Sequence, residues 1–444
     1  MTALAADRPF TPIDEALRRL ESAVSPLAGI VTGAVSTTHT PDESSLPNVA
    51  CELASSLRTL GAPTVAYGSG AHPDSRRARA AAIGEAVERY SGVFVPFERL
   101  VRGTARELGE AVVCPSRFAL FHESQFGIQR FPLVRFAEDT TTTFVEGIDL
   151  VDGSRAFLPA ELVYLRRPDA RLAPIGYATS SGLACGPSLV EAVLAALLEV
   201  VERDAVMLAW KCRLSLPLLD WAGHAELSAV DRRHFEPTGL RFRVVDASCF
   251  LDVPVAISVL HGPPAFGASL AVGAAAAAQV EDAWLKAIAE SFGVYRWLRQ
   301  QAVGGASQPT DPDAVETFDE HMLFYSTDDR AELAAFLDTS TERRSVRDIP
   351  SLEGSTPRAQ IDAIVARLAR RGLSAYAVDV TAPDVRELGL SAARVIAPEL
   401  CTLDVSHRAR FLGGSRLLTA AHEAGIVPAP LELGDLNPLP HPFP

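Results

Sequence analysis

The sequence predicts a mixed α/β, or α+β, protein rather than a regular Rossmann fold. Short runs rich in β-branched and aliphatic residues indicate strands, and longer runs with helical periodicity indicate helices. The predicted strands are 241–246, 255–260, 269–272 and 375–380, and the predicted helices are 74–92, 188–210, 281–299 and 357–371. Because these elements do not alternate in a regular β-α-β order, one large mixed unit is favoured over a doubly wound parallel sheet.

The bulk composition limits the function classes. The chain has 444 residues, and 48% of them are hydrophobic, which is enough for a large core. The formal net charge of -14 argues against a nucleic-acid partner. No apolar stretch is long enough to predict a membrane span, and the N-terminal residues do not resemble a signal peptide. We therefore expect a cytoplasmic protein with no membrane partner.

The metal-binding and phosphate-binding motifs found in many enzymes are missing from the sequence. The six cysteines form no CxxC pair, which argues against a zinc site and a disulfide framework. The sequence contains no GxxxxGK[ST], GxSxG or HExxH motif, and no GxGxxG follows a strand. Lys211 and Lys286 are its two lysines. Any phosphate group would therefore be bound by arginine, main-chain N–H groups or a metal ion.

A faint internal repeat links three helical segments, 81–90, 195–204 and 286–295. They align without gaps, and each places a glutamate among small residues. The first two share the pattern E-x-x-E-R, whereas the third has Gly293 and Val294 at the positions of the second glutamate and the arginine. The repeat draws attention to acidic groups on three helices.

The second of these helices carries three glutamates on one face. At about 100° per residue, Glu191, Glu199 and Glu202 fall within roughly 80° of one another. The remaining residues are mostly Leu, Val and Ala, which predicts a buried helix. Carboxylates on a buried face repel one another and stay ionised only beside cations. The pattern indicates metal ligands, with a capping box of Ser188 and Glu191 as the alternative for that glutamate.

The other two helices extend the acidic pattern. Glu85 and Glu88 lie one turn apart on the first helix, and Glu290 lies on the third. Arg89 and Arg203 each follow a glutamate and could form a fork for phosphate. Carboxylate oxygens suit Mg²⁺ that is bound together with phosphates. The three helices predict a metal-bridged nucleoside triphosphate site, and structural ion pairs between each arginine and the preceding glutamate are the alternative.

These segments resemble the YcaO family. The resemblance rests on residues 85–91, 157–164, 179–191, 198–205, 379–384, 394–398 and 412–417 and on the proline-rich ending 437–444, and it covers roughly residue 68 to the end. Several positions differ from the usual pattern of the family. Ser69 stands where lysine is common, Ala81 where serine is often found, Ser181 where asparagine is common, and Gly293 where glutamine is common. The arginine expected after that glutamine is displaced or absent, and Arg296 is the nearest one.

The resemblance implies a YcaO-type ATP-binding fold, in which mixed and antiparallel sheets are flanked by helices, and which is neither a P-loop nor a Rossmann fold. It implies a catalytic domain at 68–444 that ends in a proline-rich tail. The N-terminal segment, 1–67, is a candidate for contacting a partner. ATP and Mg²⁺ are the implied cofactors.

The resemblance also implies roles for individual residues. The metal ligands would be Glu85, Glu88, Glu191, Glu199 and Glu202. The residues that contact the nucleotide would be Glu85, Arg89, Ser180, Ser181, Glu191, Arg203 and Glu290. The tail prolines Pro440, Pro442 and Pro444 would help to shape the catalytic region. The sequence does not identify the general base. His441 is a candidate because the pKa of a histidine suits the task, and the alternative is that a lone histidine in a tail is incidental.

The implied activity is an ATP- and Mg²⁺-dependent cyclodehydratase. Such an enzyme phosphorylates a backbone amide and converts Cys, Ser or Thr of a ribosomal precursor peptide to thiazoline or oxazoline. The expected partners are the precursor peptide, a ThiF-like leader-binding protein and a second copy in a homodimer. The alternatives are a YcaO enzyme that forms a thioamide or a macroamidine, a non-catalytic scaffold of the same fold, and an ATPase or kinase that acts on a small molecule.

Overall fold

The computed structural model describes residues 7–40, 42–65 and 67–444. The described residues form fourteen strands: β1 Val31–Ser36, β2 Asn48–Leu53, β3 Tyr67–Ala71, β4 Val101–Gly103, β5 Thr142–Asp149, β6 Arg155–Pro159, β7 Leu183–Gly186, β8 Leu218–Asp220, β9 Arg241–Asp246, β10 Val255–His261, β11 Leu270–Ala276, β12 Arg343–Ser345, β13 Tyr376–Asp379 and β14 Ser391–Ile396. They also form thirteen α-helices: α1 Ile13–Glu21, α2 Ser56–Thr59, α3 Ser75–Val93, α4 Ala105–Leu108, α5 Ala160–Val163, α6 Leu189–Lys211, α7 Ala225–His234, α8 Val280–Val303, α9 Phe318–Phe324, α10 Asp328–Ala331, α11 Pro357–Ala369, α12 Pro383–Glu387 and α13 Arg416–Glu423.

The elements predicted from periodicity are confirmed. The predicted strands correspond to β9, β10, β11 and β13, and the predicted helices correspond to α3, α6, α8 and α11. Helix α3 begins where the Asp74 side chain accepts a hydrogen bond from the N–H of Arg76, which is a normal N-cap. Long periodic segments were the safest to predict because their apolar positions repeat over several turns.

The described part of the chain divides into two compact units. The first comprises the N-terminal segment up to Thr37 together with Pro47–Val200 and Glu353–Leu400, and the second comprises Thr38–Leu46, Val201–Leu352 and Cys401–Pro444. The division falls inside α6. The predicted boundary at residue 67 stays a prediction, and residues 1–6, 41 and 66 of that segment lie outside the described residues.

The first unit contains two sheets. One is the antiparallel sheet β1-β2-β3. The other has the order β4-β5-β13-β14-β7, and β6 pairs with β5. Strands from distant parts of the chain are neighbours in this second sheet, for example β5 and β13. Its pairs are antiparallel, so the predicted sheet class is confirmed here.

The second unit is built on one sheet of order β11-β10-β9-β8-β12. The β12–β8 pair is parallel and the other pairs are antiparallel, which makes the sheet mixed, as predicted. Every residue of β11 is buried, and this strand packs against α8. A strand that is buried on both faces shows a continuous apolar run rather than an alternating one.

Each unit contains a strand that packs very closely on a helix of small residues. In the first unit β3 lies on α3, and a Cβ atom added to Gly68 would be 2.4 Å from Ala82 O. In the second unit β11 lies on α8, and a Cβ atom added to Gly273 would be 2.5 Å from Ala287 O. Both contacts are with main-chain atoms, so only glycine fits. This close approach brings main-chain N–H groups within reach of the helix glutamates.

We expect Gly273→Ala to destabilise the protein by about 1–3 kcal/mol, because the added methyl group would force β11 away from α8. The matched control is Gly293→Ala on α8, which is exposed and has no atom within 4 Å of its added Cβ. This control should be slightly stabilising because alanine favours a helix interior. Thermal unfolding of both variants checks the pair, and equal unfolding temperatures would contradict the close contact.

Among residues 7–40, 42–65 and 67–444, the helices lack the combination of length and apolar character that crossing a membrane requires.

Candidate nucleotide and metal site

Glu85 is held by the strand that packs on its helix. The N–H of Ser69 in β3 donates to Glu85 Oε2 at 2.7 Å. A guanidinium nitrogen of Arg89 lies 3.3 Å from Glu85 Oε1. Gly68 and Gly70 flank the donor and let β3 come this close to α3. A carboxylate fixed in this way is oriented before any ligand arrives.

Glu88 lies one turn further along α3, with 15% of its side chain exposed. Its Oε1 is 3.5 Å from Arg89 Nε, so the ion pair considered from the sequence is present. Burial raises the pKa of Glu88 well above its usual range; Arg89 and Arg394 lower it, whereas Glu199 and Glu85 raise it further. The fold therefore brings three of the predicted carboxylates into electrostatic contact, a crowding that a bound cation would relieve.

Glu199 reaches the loop that precedes β7. The N–H of Gly182 donates to Glu199 Oε2 at 3.2 Å. Ser180 and Ser181 belong to the same loop; Ser181 is buried, and its N–H donates to Thr179 Oγ1 at 3.1 Å. The two predicted serines therefore belong to the loop to which the predicted glutamate is hydrogen-bonded.

Glu191 lies in the first turn of α6, where the N-terminal segment binds it. Thr11 donates from its N–H to Glu191 Oε1 at 2.8 Å and from its hydroxyl to Oε2 at 3.0 Å. Ser188 Oγ donates to Oε2 at 2.6 Å and accepts from the N–H of Glu191 at 3.4 Å. This geometry agrees with the capping alternative for Glu191, and its role as a ligand stays a prediction.

A cavity of about 320 Å³ in the first unit is lined by Glu85 and Glu88. The other residues around it are mainly small and apolar, and they include Ala16, Ala81, Gly84, Ala184, Gly186 and Ala195. Helix α1 supplies part of this wall, so the N-terminal segment helps to build the cavity. Apolar walls beside two carboxylates fit a flat organic base next to a metal-bound phosphate.

Two further carboxylates are held side by side in the second unit. The N–H of Ala276 donates to Glu202 Oε2 at 3.0 Å, and the N–H of Ala274 donates to Glu290 Oε2 at 2.6 Å. Because both donors belong to β11 and are two residues apart, the two donor nitrogens lie roughly 7 Å from each other along the strand. A guanidinium nitrogen of Arg203 is 3.1 Å from Glu202 Oε1.

The proline-rich tail is packed into the second unit. Tyr325 donates its hydroxyl to Pro440 O at 2.6 Å. Arg203 donates to Pro444 O at 3.3 Å, and the same guanidinium pairs with Glu202. Pro440 and Pro442 are buried. The end of the tail therefore lies beside one of the predicted acidic residues, and the catalytic role of the prolines stays a prediction.

The candidate base His441 is buried in the same packing. Its ring stacks on that of His321, with 3.9 Å between the ring centroids. His441 Nε2 lies 2.8 Å from the carbonyl oxygen of Asp404. Burial lowers the pKa of His441 well below its usual range. These contacts fix the tail, and the role of His441 as a base stays a prediction.

Two charged residues of the matched segments gain roles that the sequence did not indicate. Arg394 on β14 lies close enough to Glu88 and Glu199 for each to raise its pKa, which burial lowers to about 10. Asp204 forms a buried ion pair with Arg416, with an oxygen–nitrogen distance of 2.6 Å. In each case the sequence offers one signal, which is a charged residue inside an apolar segment. The partner of that residue could not be predicted, because it lies far away in the sequence.

No group of three or more His, Cys, Asp or Glu side chains in the described ranges is arranged to hold a metal ion. The predicted ligands instead form separate groups in the two units. Their chemistry fits Mg²⁺, since oxygen donors are its preferred ligands and it keeps several sites for phosphate and water. Which of the predicted carboxylates hold the metal stays a prediction.

A family model, described as YcaO cyclodehydratase, ATP- and Mg²⁺-binding, matches residues 67–401. No curated protein sequence matches the chain. The expectation of ATP and Mg²⁺ as cofactors, and of a cyclodehydratase as the class of enzyme, is confirmed at the level of the family.

Solved structures share the fold. A heterocyclase in complex with substrate and cofactor superposes with a TM-score of 0.81 at 24% identity, covering 99% of this chain and 59% of its own. The heterocyclase TruD superposes with a TM-score of 0.70 at 21% identity, covering 99% of this chain and 55% of its own. YcaO from Methanopyrus kandleri, bound with AMPPCP and Mg²⁺, superposes with a TM-score of 0.61 at 21% identity, covering 90% of this chain and 95% of its own. The chain thus spans little more than half of the first two proteins, and at these identities the likeness shows the fold alone.

Proposed function

The chain belongs to the YcaO family of ATP- and Mg²⁺-binding cyclodehydratases, and from this premise we propose that it forms azoline rings in a peptide. The substrate would be a ribosomal precursor peptide in which Cys, Ser or Thr closes onto the preceding backbone carbonyl. The products would be thiazolines or oxazolines. Similarity to a heterocyclase structure that contains substrate and cofactor supports this choice of reaction.

The observation that carries the proposal is the way in which the acidic side chains are held. Glu85, Glu199, Glu202 and Glu290 each accept a hydrogen bond from a main-chain N–H of a strand or a loop. Main-chain donors do not change rotamer, so these carboxylates are preorganised. Preorganised charge lowers the barrier of phosphoryl transfer because no reorganisation is needed during the reaction.

When bound, ATP would supply the phosphoryl group that turns the amide oxygen into a leaving group, and Mg²⁺ would neutralise the phosphate charge. The residues proposed to hold the metal are Glu85, Glu88, Glu191, Glu199 and Glu202. Arg89 and Arg203 would orient phosphate oxygens through their guanidinium groups. Ser180, Ser181 and Glu290 would contact the nucleotide, and the small-residue cavity beside Glu85 would take the base.

The peptide side of the reaction is assigned to the tail region. Arg203 links Pro444 O to Glu202, which puts the tail beside a proposed metal ligand. We propose that Pro440, Pro442 and Pro444 shape the surface on which the reacting amide lies. The buried ring stack of His441 on His321 would keep that surface rigid.

We propose that the enzyme works with partners. A ThiF-like protein would bind the leader of the precursor peptide, and the enzyme would form a homodimer. Similarity to the E. coli microcin synthetase McbBCD complex, with a TM-score of 0.59, supports a multiprotein assembly. Size-exclusion chromatography with light scattering would measure the oligomeric state.

The proposed nucleotide site is tested by titrating the protein with ATP and Mg²⁺. We expect Glu85→Gln to weaken Mg²⁺-dependent ATP binding by roughly tenfold or more, because it removes a charged ligand while keeping the side-chain shape. The matched control is Glu161→Gln, since Glu161 likewise accepts a hydrogen bond from a main-chain N–H, that of Ile175, and pairs with an arginine, Arg167. Equal losses in the two variants would contradict the assignment of Glu85.

The reaction class is tested by mass spectrometry of a Cys- and Ser-containing precursor peptide incubated with the protein, its partner, ATP and Mg²⁺. Loss of one water per ring, with ADP and phosphate as co-products, is the expected result. Exchange of oxygen for sulfur would indicate thioamide formation instead, and ATP hydrolysis without a change in the peptide would contradict azoline formation.

A further inference from the structure

Arg394 is an unusually placed arginine. It lies in the middle of β14 and is 4% exposed. Its two terminal nitrogens donate to separate carbonyl oxygens, Thr179 O at 2.6 Å and Leu162 O at 3.0 Å. Burying a guanidinium group is costly unless it is paired and hydrogen-bonded. Its position therefore calls for an explanation beyond the packing of a strand.

The first of these contacts fixes one end of the loop 179–182. The other end is fixed by the next residue of β14, because the N–H of Val395 donates to Gly182 O at 2.7 Å. Gly182 has a φ of +78°, and a Cβ atom added to it would be 2.5 Å from Val395 O. Strand β14 therefore holds both ends of the loop that carries Ser180 and Ser181.

The same guanidinium group is a positive charge near two carboxylates of the first unit, Glu88 and Glu199. Glu199 and Glu88 both raise the pKa of Arg394 against the effect of its burial. Glu199 is also tied to the loop, since its Oε2 accepts from the N–H of Gly182. The loop, two proposed metal ligands and one arginine thus form a single connected network within the first unit.

We propose that Arg394 is a positioning residue of the nucleotide site, fixing the Ser180–Ser181 loop through Thr179 O and balancing the charge of Glu88 and Glu199. This inference rests on the proposed function. Arg394 acts through the loop and the carboxylates and does not itself contact the nucleotide. A guanidinium group is suited to this task because its planar fork donates from two separate nitrogens to two separate carbonyl oxygens while it keeps its charge.

Arg367 in the first unit provides a matched comparison. It is equally buried, at 7% exposure, and donates to Ala363 O of its own helix and to Glu353. Both of these partners are local, and neither is a proposed ligand. Substitution of Arg367 therefore reports the general cost of removing a buried arginine.

The test compares Arg394→Met and Arg394→Lys with Arg367→Met and Arg367→Lys in the full chain. Two quantities are measured: Mg²⁺-dependent ATP binding by calorimetry, and hydrogen–deuterium exchange of the amides of residues 179–183. We expect Arg394→Met to weaken binding about 100-fold, because two hydrogen bonds to a charged group and the counter-charge are lost. We expect Arg394→Lys to bind ATP about tenfold more tightly than Arg394→Met does, because the lysine restores the charge.

Loop exchange should become at least tenfold faster in both Arg394 variants and should stay unchanged in both Arg367 variants. Wild-type exchange and wild-type binding in the Arg394 variants would overturn the inference, and so would equal binding by Arg394→Lys and Arg394→Met. If Arg394→Met does not fold, Arg394→Lys carries the comparison with Arg367→Lys.

The two measurements also separate this inference from the proposed function. Absence of ATP binding by the wild-type protein would contradict the proposed function. The hydrogen–deuterium exchange of residues 179–183 would then test by itself whether Arg394 fixes the loop. Faster exchange in the Arg394 variants would support this role, and unchanged exchange would overturn it.

Discussion

Replacing Glu199 and Glu202 together by alanine should lower the rate of ATP-dependent ring formation by roughly 10²-fold or more, as expected when preorganised charges are removed from a reacting site. Each carboxylate accepts a main-chain N–H, from Gly182 and Ala276 respectively. The change therefore removes the proposed ligands and also leaves two main-chain donors unpaired. The measurement is the initial rate of water loss from a precursor peptide at saturating ATP.

The control for this double substitution removes two carboxylates that are exposed. Glu138 and Glu146 pair with Arg106 and Arg155 on the surface of the first unit, at oxygen–nitrogen distances of 3.5 Å and 3.1 Å. The Glu138→Ala/Glu146→Ala variant should keep the wild-type rate, since exposed ion pairs contribute little. A wild-type rate in the Glu199→Ala/Glu202→Ala variant would show that these residues do not bind the metal.

The largest effect on stability is expected from Asp204→Ala. Asp204 is fully buried and accepts two hydrogen bonds from Arg416 Nε and Nη2 at 2.9 Å and 2.6 Å, and a third from the N–H of Cys401. Its removal would leave a buried guanidinium group without its counter-charge, which costs about 3–5 kcal/mol. Denaturant unfolding monitored by circular dichroism measures the loss.

A double-substitution cycle provides the control for the Asp204–Arg416 pair. The Asp204→Ala/Arg416→Met variant should be more stable than Asp204→Ala alone, because no uncompensated charge remains in the core. If the loss of unfolding free energy in the double variant equalled the sum of the losses in the two single variants, a direct ion pair would be contradicted. This pair also explains why an Asp follows the E-x-x-E-R pattern on α6: it anchors the segment that begins helix α13.

Helical spacing predicts that Glu191, Glu199 and Glu202 share a face, and the structure places all three on the one helix α6. The partners of these glutamates could not be predicted. Glu290 takes its hydrogen bond from Ala274 and Glu85 takes its own from Ser69. The identity of such a donor depends on how a strand is set against a helix, which is fixed by tertiary packing and leaves no local signal in the sequence.

Long-range pairing limited the prediction in other places as well. The sequence places Arg394 in a segment that resembles the family but does not predict its role, because its contact with Thr179 O joins residues that lie far apart in the chain. The bond from Thr11 to Glu191 has the same character. The antiparallel pairing of β5 with β13 likewise joins distant segments. In each case the local sequence is compatible with many partners, and only the folded chain selects one.

The close contact of a glycine strand with an acidic helix occurs twice, and the two copies correspond residue by residue. The same interval along the chain separates Gly68 from Gly273, the donor Ser69 from the donor Ala274, and Glu85 from Glu290. The two units therefore contain one strand–helix arrangement with the same spacing and the same hydrogen bond.

The two copies differ one turn further along the helix. The first has Glu88 and Arg89, whereas the second has Gly293 and Val294 at those positions. The anchored glutamate and the glycine opposite it are therefore common to both copies, and the rest of the acidic motif is present in one of them. The shared contact sets the distance between strand and helix in both units, and the positions one turn further along leave room for different chemistry in each.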